Sequence, residues 1–358
     1  MCSGRRVDVA ADNLHDRLFE RDYDLLLQTP IRTVRESLRW HRLEPRQGRY
    51  FPDELIVRLR ALRRRGMTGI WSVTQFGIPD WMDVWSSEFA DAFAEFAAFQ
   101  ARTFRDECDD VPIWAPVNEI SYWSWAGGSL GHFGPCAHDR GHVLKRQLAS
   151  AAIKASIAMR EIDPRARLLH IDPVVNIVPD YKIDGIDDRL MAQAGVFEAW
   201  DMLSGSVEPE LGGHTDLLDL VGINFYSDNQ RFADGSMVPF GHPSFVPFHR
   251  LAARVARRYR RPLLIAETGA EGPFGIPWIR YMAHETKKVA AAYPVAGMTI
   301  YPVMDYPGWA DGRHCECGLI RCDPTWSERQ LRADHSEAAA EAAELWGEAI
   351  ETTAIRGK

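Results

Sequence analysis

Two glutamates follow short apolar runs, where a carboxylate is unexpected unless it has a function. Glu119 follows residues 114–118 (WAPVN), and Glu267 follows residues 263–266 (LLIA). In parallel α/β barrels the chemistry lies at the C-terminal ends of such strands. Two carboxylates facing one cavity can cleave a glycosidic bond. Either glutamate alone could simply cap a strand by pairing with an arginine, so the catalytic interpretation depends on both.

The two carboxyl groups need different protonation states for this chemistry. In a retaining glycosidase a protonated carboxyl donates to the leaving oxygen, while an ionised one, about 5 Å away, attacks the anomeric carbon. Burial and a neighbouring negative charge raise the pKa of the acid. We assign the acid/base role to Glu119 and the nucleophile role to Glu267. Asn118 is expected to hydrogen-bond a sugar hydroxyl or, equally, loop backbone at the strand end.

Short apolar runs alternate with helical patterns along the whole chain. Strands are predicted at 31–38, 69–75, 112–119, 167–172, 217–225, 262–267 and 297–303. Helices are predicted at 16–27, 52–65, 89–104, 139–162, 196–203, 244–259, 276–292 and 335–350. This alternation is typical of βα units and predicts a single (β/α)8 TIM barrel over residues 1–358. Closing the barrel takes an opening strand, for which residues 7–10 or 1–4 are weak candidates.

Composition limits the partners and the compartment. The formal net charge of −8 argues against a nucleic-acid partner, and the arginine groups at 60–65 and 257–261 fit solvated helix ends. No apolar run approaches a membrane span, and residues 1–13 lack the apolar segment of a secretory signal. Six cysteines in 358 residues do not make a disulfide scaffold. We therefore expect a cytoplasmic protein without a membrane partner.

Five segments resemble, in the same order, motifs of glycoside hydrolase family one, the β-glucosidase family of the clan A barrels. They are 35–45 (RESLRWHRLEP), 114–119 (WAPVNE), 219–226 (DLVGINFY), 264–269 (LIAETG) and 301–312 (YPVMDYPGWADG). The family counterparts of the last four are W-x-T-x-N-E, D-F-x-G-x-N-Y-Y, I-T-E-N-G and W-S-L-L-D-N-F-E-W. The resemblance implies retaining β-O-glycoside hydrolysis of a small-molecule or oligosaccharide glycoside, with no cofactor or metal. It also implies that Arg35 and Tyr226 support the nucleophile, although Arg35 could instead form a buried ion pair.

Departures from the family pattern affect the sugar-binding positions. The family's sugar-binding histidine falls on Gln75, whose amide can still bond a hydroxyl. The tryptophan of the last strand becomes Tyr301, and the glutamate that grips the outer hydroxyls falls on Gly308, while Trp309 remains. The family's N-terminal glutamine has no counterpart. A modified sugar or a larger aglycone is therefore a better expectation than a plain glucoside.

Other candidates have balanced interpretations. Trp123 or Trp125, in the loop after Glu119, could stack on sugar or aglycone or simply pack the loop. His170 and Asp172 could face the cavity or be a core histidine and a turn aspartate.

A cysteine group follows the last predicted strand. Cys315, Cys317 and Cys322 lie close to His314, but Cys-x-Cys is too tight for a structural zinc site, so we expect loop thiols.

Two other functions remain open from the sequence. A transglycosidase would pass the sugar to an acceptor other than water. A carbohydrate-binding barrel without turnover would explain the altered sugar-binding positions, although the glutamate pair argues against it. The sequence leaves the sugar, the aglycone and the oligomeric state undetermined.

Overall fold

A computed structural model describes residues 6–179, 195–309 and 311–354. Its main element is a seven-stranded sheet in the order β1-β2-β3-β4-β6-β8-β9. These strands are β1 (Thr33–Ser37), β2 (Thr68–Thr74), β3 (Ile113–Val117), β4 (Arg167–Pro173), β6 (Leu220–Asn224), β8 (Leu263–Thr268) and β9 (Val295–Ile300). Each coincides with a predicted strand to within a few residues.

Helices and short strand pairs occupy the intervals between the strands of the sheet. The helices are α1 (Val9–Asp12), α2 (His15–Leu26), α3 (Trp40–Leu43), α4 (Asp53–Arg64), α5 (Phe89–Glu107), α6 (Ile120–Trp123), α7 (Gly141–Ile162), α8 (Glu198–Ser204), α9 (Phe248–Tyr259), α10 (Gly275–Ala290) and α11 (Ala333–Ala354). The pairs are β5 (Asn176–Val178) with β7 (Gln230–Phe232), β10 (Tyr306–Pro307) with β11 (His314–Cys315), and β12 (Ile320–Cys322) with β13 (Arg329–Leu331). The predicted alternation of strands and helices is confirmed.

The weak opening strand proposed at residues 7–10 is wrong. Helix α1 begins at Val9, because the Asp8 side chain accepts a hydrogen bond from the Ala11 backbone N–H, at 3.2 Å, and so caps the helix. The other candidate, residues 1–4, lies outside the described residues.

Contacts divide the described chain into two compact units. The first unit holds Arg6 and residues 32–172 and 198–221, and the second holds the remainder. The expectation of one domain over residues 1–358 stays a prediction.

In the first unit, the alternation along β1 sorts its side chains by face. Glu36 faces α4 and forms a buried ion pair with Arg58. Because side chains alternate along a strand, Arg35 and Ser37 lie on the opposite face. The same short strand therefore ties the helix layer to the sheet and presents two polar groups on its other side.

An aromatic cluster around Trp40 fills the core of the first unit. The Trp40 side chain is fully buried, stacks on Phe96 at a centroid distance of 5.5 Å and contacts Phe93 at 5.2 Å. Its Nε1–H donates to Glu44 Oε2 at 2.7 Å. The phenylalanines are three residues apart on one face of α5, so the cluster fastens α5 to the chain that follows β1.

In the second unit, Asp305 joins the segments that follow β9. It is fully buried and accepts hydrogen bonds from the backbone N–H groups of Gly318, at 2.8 Å, and Cys322, at 3.1 Å. Arg332 donates to both of its carboxylate oxygens. This carboxylate therefore orders a region that has little regular secondary structure.

Among the helices of the described ranges, none combines the length and the apolarity that crossing a bilayer demands.

Replacing Trp40 tests the core of the first unit. Trp40→Ala removes a fully buried ring and its hydrogen bond, so we expect a loss of about 3–5 kcal/mol in the free energy of unfolding. The matched control is Trp125→Ala, because the Trp125 side chain is 50% exposed. Urea unfolding followed by circular dichroism should show a lower midpoint for Trp40→Ala and a midpoint near wild type for Trp125→Ala. Equal midpoints for the two variants would contradict the assignment of the core.

Candidate active site

Two hydrogen bonds join polar side chains of β1 to residues just after β2 and β3 in the first unit. Arg35 Nη1 donates to Asn118 Oδ1 at 2.8 Å, and Ser37 Oγ donates to Gln75 Oε1 at 2.7 Å. Asn118 is fully buried, and its Nδ2 has no hydrogen-bond partner among the residues that the structure describes. The Asn118 amide is thus held through its oxygen while its N–H groups remain available to donate.

Glu119 begins a helix in a strained backbone conformation. Its φ angle is +51°, in the left-handed region that non-glycine residues rarely adopt. Its backbone N–H donates to the carbonyl oxygen of Ile171 in β4 at 3.0 Å, and its own carbonyl accepts from Trp123 N–H at 2.9 Å. The residue is 8% exposed. Strained residues of this kind are concentrated at functional sites, so the observation favours a functional role for Glu119.

Glu267, in β8, is held by the strand beside it. Tyr226 Oη donates to Glu267 Oε2 at 2.7 Å, and Phe225 N–H donates to the Glu267 carbonyl oxygen at 3.0 Å. The residue is 4% exposed. A hydroxyl donated to a carboxylate favours its ionised form, which is the form that a nucleophile needs. The contact predicted from the family resemblance between Tyr226 and the nucleophile position is present.

The end of β8 also packs tightly against the end of β9. A Cβ atom on Gly269 would lie 1.9 Å from the Tyr301 carbonyl oxygen, so only glycine allows this approach. The Tyr301 ring contacts the Tyr226 ring edge to face at 6.4 Å. Trp309 is partly exposed in the turn between β10 and β11. The second unit therefore brings together Glu267, Tyr226 and Tyr301.

The two loop tryptophans after Glu119 differ in environment. Trp123 is buried, its Nε1–H donates to the Gly134 carbonyl oxygen at 2.8 Å, and its ring packs against Phe76 at 5.8 Å. The packing interpretation therefore describes Trp123 in this structure, and its stacking on a sugar or aglycone stays a prediction. Trp125 is half exposed and contacts Tyr122 at 5.9 Å.

An aromatic cluster of Phe76, Tyr122 and Phe133 was missed by the sequence interpretation. The Phe76 ring lies 5.7 Å from the Tyr122 ring and 5.2 Å from the Phe133 ring. Phe76 follows Gln75, and Tyr122 lies three residues after Glu119, so their proximity to the site could have been suspected. The contact between Phe76 and Tyr122 joins two separate loops, and it could not have been predicted from the sequence.

His170 is buried against the helix that precedes its strand. Its Nε2 lies 3.4 Å from Ser156 Oγ of α7, and its carbonyl oxygen accepts from Trp200 Nε1 at 3.1 Å. Burial lowers the pKa of His170 to about 4. The side chain thus lies between β4 and α7, as the core interpretation expects, and a role for His170 at the site stays a prediction.

The cysteine group does not form a metal site in the described part of the chain. Cys108, Cys315, Cys317 and Cys322 are free thiols, and within the described ranges no cluster of three or more His, Cys, Asp or Glu side chains is arranged to hold a metal ion. Burial raises the pKa of the Cys315 and Cys317 thiols, which disfavours the thiolate form that binds metals.

Cys136 is disulfide-bonded. That bond is not what a reducing cytoplasm leads one to expect.

Like the motifs, the comparisons with known proteins indicate a similarity to β-glucosidases. No family model matches the chain. A β-glucosidase of an Agrobacterium species is 24% identical over 393 aligned positions, covering 88% of this chain and 81% of that protein. Beta-glucosidase 8 of Arabidopsis thaliana is 25% identical over 130 residues, which is 35% of this chain and only 26% of that protein.

Solved structures match over almost the whole chain. A family 1 β-glucosidase from Thermotoga maritima superposes with a TM-score of 0.79 at 18% identity, covering 93% of this chain and 87% of that one. The chain has the (β/α)8 fold of the family 1 β-glucosidases. The same enzyme in complex with glucoimidazole gives a TM-score of 0.79, and an enzyme from Alicyclobacillus herbarius gives 0.78. The resemblance predicted from five short motifs is confirmed, as is the predicted TIM barrel.

The burial of His170 predicts how stability changes with acid. Above its ordinary pKa of 6.5 the imidazole is neutral in both the folded and the unfolded chain. Between pH 6.5 and about 4 only the unfolded chain takes up the proton, so the folded state loses stability as the pH falls. We expect His170→Gln to lose less stability than wild type between pH 7 and pH 5 in thermal unfolding.

The control for this comparison is His138→Gln, because His138 is exposed. Its stability should change with pH as the wild type's does. A wild-type slope for His170→Gln as well would contradict the buried neutral histidine.

Proposed function

We propose that this protein is a retaining β-glycoside hydrolase with Glu267 as nucleophile and Glu119 as acid/base. The observation that carries the proposal is the buried Glu267 carboxylate at the end of β8, which accepts the Tyr226 hydroxyl at 2.7 Å. The fold supports pairing it with Glu119, because strands of a (β/α)8 barrel present their C-terminal ends at one face and active sites form there. The β-glucosidase relatives support the glycosidase class.

The first step would form a covalent sugar ester. Glu267 attacks the anomeric carbon, the bond from that carbon to the leaving oxygen breaks, and the Glu119 proton passes to that oxygen. In the second step Glu119 removes a proton from water, and the water oxygen attacks the same carbon. The ester bond to Glu267 breaks, which releases the sugar with its configuration retained and restores both carboxyl groups.

Arg35 and Asn118 would position the sugar. Arg35 fixes the Asn118 oxygen, which leaves the Asn118 N–H groups to donate to the hydroxyl beside the reacting carbon. Such a hydrogen bond strengthens in the transition state. The resemblance also gives Arg35 a role in supporting the nucleophile.

The substrate we propose is a β-glycoside with a modified sugar or a large apolar aglycone. The Ser37 hydroxyl donates to the Gln75 side-chain oxygen, so Gln75 would offer its N–H groups to a sugar hydroxyl. Tyr301 and Gly308 stand where the family has tryptophan and glutamate, which leaves Trp309 as the retained contact. The exposed rings of Tyr122 and Trp125 favour an aromatic or otherwise flat aglycone. The proposed location is the cytoplasm, on the basis of the sequence, and the disulfide bond of Cys136 argues against it.

Removing either glutamate tests the assignment of roles. Glu119→Ala should lower turnover of aryl β-glycosides about 10²–10⁴-fold, the usual contribution of acid/base catalysis. Glu267→Ala should lower it on the order of 10⁴-fold or more, because a nucleophile is lost. Steady-state kinetics on a panel of aryl β-glycosides gives both values. The control is Glu271→Ala, a partly exposed glutamate four residues after Glu267 that pairs with Arg313.

Azide identifies which glutamate plays which role. On Glu267→Ala, azide should attack the anomeric carbon directly and give the α-glycosyl azide. On Glu119→Ala it should attack the covalent ester and give the β-glycosyl azide. Exchanged products would reverse the two roles, and wild-type turnover in both alanine variants would refute the mechanism.

The Tyr226 hydroxyl should matter for the reaction and little for the fold. Tyr226→Phe removes one hydrogen bond to a carboxylate, worth about 1.5–3 kcal/mol, so kcat/KM should fall about 10- to 100-fold. Tyr293→Phe is the matched control, because within the described residues its hydroxyl accepts one long bond, from Arg257 at 3.4 Å. If the two variants have the same kcat/KM, Tyr226 does not support the nucleophile.

A further inference from the structure

The end of β4 accepts hydrogen bonds from the backbone N–H groups of Glu119 and Ser121. The Ile171 carbonyl accepts the Glu119 N–H at 3.0 Å, and Ile171 pairs in parallel with Asn118. One residue on, Asp172 Oδ1 accepts the Ser121 N–H at 2.9 Å. Two successive residues of one strand therefore fix positions 119 and 121.

Glu119 needs such an anchor because its backbone is strained. A non-glycine residue in the left-handed region costs about 1–3 kcal/mol and persists only where its surroundings hold it there. A change of φ at Glu119 would swing the Cα–Cβ bond and redirect the carboxyl group. The hydrogen bond from Ser121 to Asp172 opposes that relaxation from the C-terminal side, whereas the Ile171 contact opposes it from the N-terminal side.

Asp172 buries a carboxyl group, which is energetically unfavourable. The residue is 1% exposed, and its Oδ2 has no hydrogen-bond partner within the described ranges. Burial raises the pKa of Asp172 to about 7, although hydrogen bonding from Ser121 and, to a smaller extent, the positive charge of Lys145 oppose this. The contact that this buried carboxyl group makes, with the Ser121 N–H, lies two residues from the strained Glu119.

We propose that Asp172 is a positioning residue for Glu119, which keeps the acid/base carboxyl aimed by fixing the first turn of α6. The inference rests on the proposed role of Glu119. Asp172 acts through the backbone of residues 119–121 and does not itself contact substrate.

The test uses two β-glycosides that differ only in the leaving group. Dinitrophenolate leaves without protonation, whereas an alkoxide leaving group needs the proton of the acid. kcat/KM reports the first step alone, so a misplaced Glu119 should lower it for the alkyl glycoside and spare it for the dinitrophenyl glycoside. We expect Asp172→Ala to lower the alkyl value at least 10-fold more than the dinitrophenyl value.

Two further variants separate positioning from folding. Asp172→Asn retains an oxygen that can accept the Ser121 N–H, so it should restore most of the wild-type ratio between the substrates. If Asp172→Ala does not fold, Asp172→Leu, which has a similar size and no acceptor oxygen, takes its place with the same expected loss. His170→Gln, on the same strand and equally buried, should change both substrates by the same factor.

The outcomes are distinct for the inference and for the function on which it rests. If wild type cleaves both glycosides and the Asp172 variants lower both by one common factor, or Asp172→Asn is as selective as Asp172→Ala, Asp172 is not a positioning residue. A wild-type protein that cleaves neither glycoside would overturn the proposed function, and the inference with it.

Discussion

The burial of carboxylates at strand ends is the constraint on which the rest of this structure depends. A carboxylate removed from water costs several kcal/mol unless it is hydrogen-bonded or paired. Glu267 meets that requirement through the Tyr226 hydroxyl, and Tyr226 is in turn placed by the end of β6. Thr268, the next residue, donates to the Phe225 carbonyl oxygen and accepts from Trp278 of α10. The carboxylate is therefore supported by a strand on one side and a helix behind it.

The alternation of side chains along β1 shows how one strand serves both stability and chemistry. Glu36 pairs with Arg58 on the helix side, while Arg35 and Ser37 reach Asn118 and Gln75 on the other side. A shift of one residue in the register of this strand would exchange the two sets. The buried ion pair thus helps to keep the polar groups near Asn118 on the correct face.

Most of the fold could be predicted because parallel strands are apolar on both faces. They appear in the sequence as continuous apolar runs, and the amphipathic helices between them follow their own period. The short strands after Asp305 have two or three residues and no period of their own, so no pattern indicated them. Residues 7–10 contain valines typical of a strand, but the cap by Asp8 favours a helix.

The motifs of the candidate site could be predicted from the sequence. The direction in which individual side chains point could not. Five segments in one order indicated Glu119, Glu267 and Tyr226, and the contact between the last two is present. β4 is buried along most of its length, so its sequence carried no signal for which face His170 occupies. Trp123 was ambiguous for a similar reason, because a large ring beside glycines fits a packed loop and a binding platform equally well. The bond between Ser37 and Gln75 joins neighbouring strands and has no signature in either.

Trapping of the covalent intermediate is the sharpest test of Glu267 as the nucleophile. A 2-deoxy-2-fluoro β-glycoside with a good leaving group slows both steps, so the sugar ester accumulates and can be located by peptide mass spectrometry. We expect one added sugar, on the peptide that contains Glu267, with loss of activity at the same rate as labelling. A sugar attached to any other residue, or turnover of β-glycosides without a covalent intermediate, would contradict it.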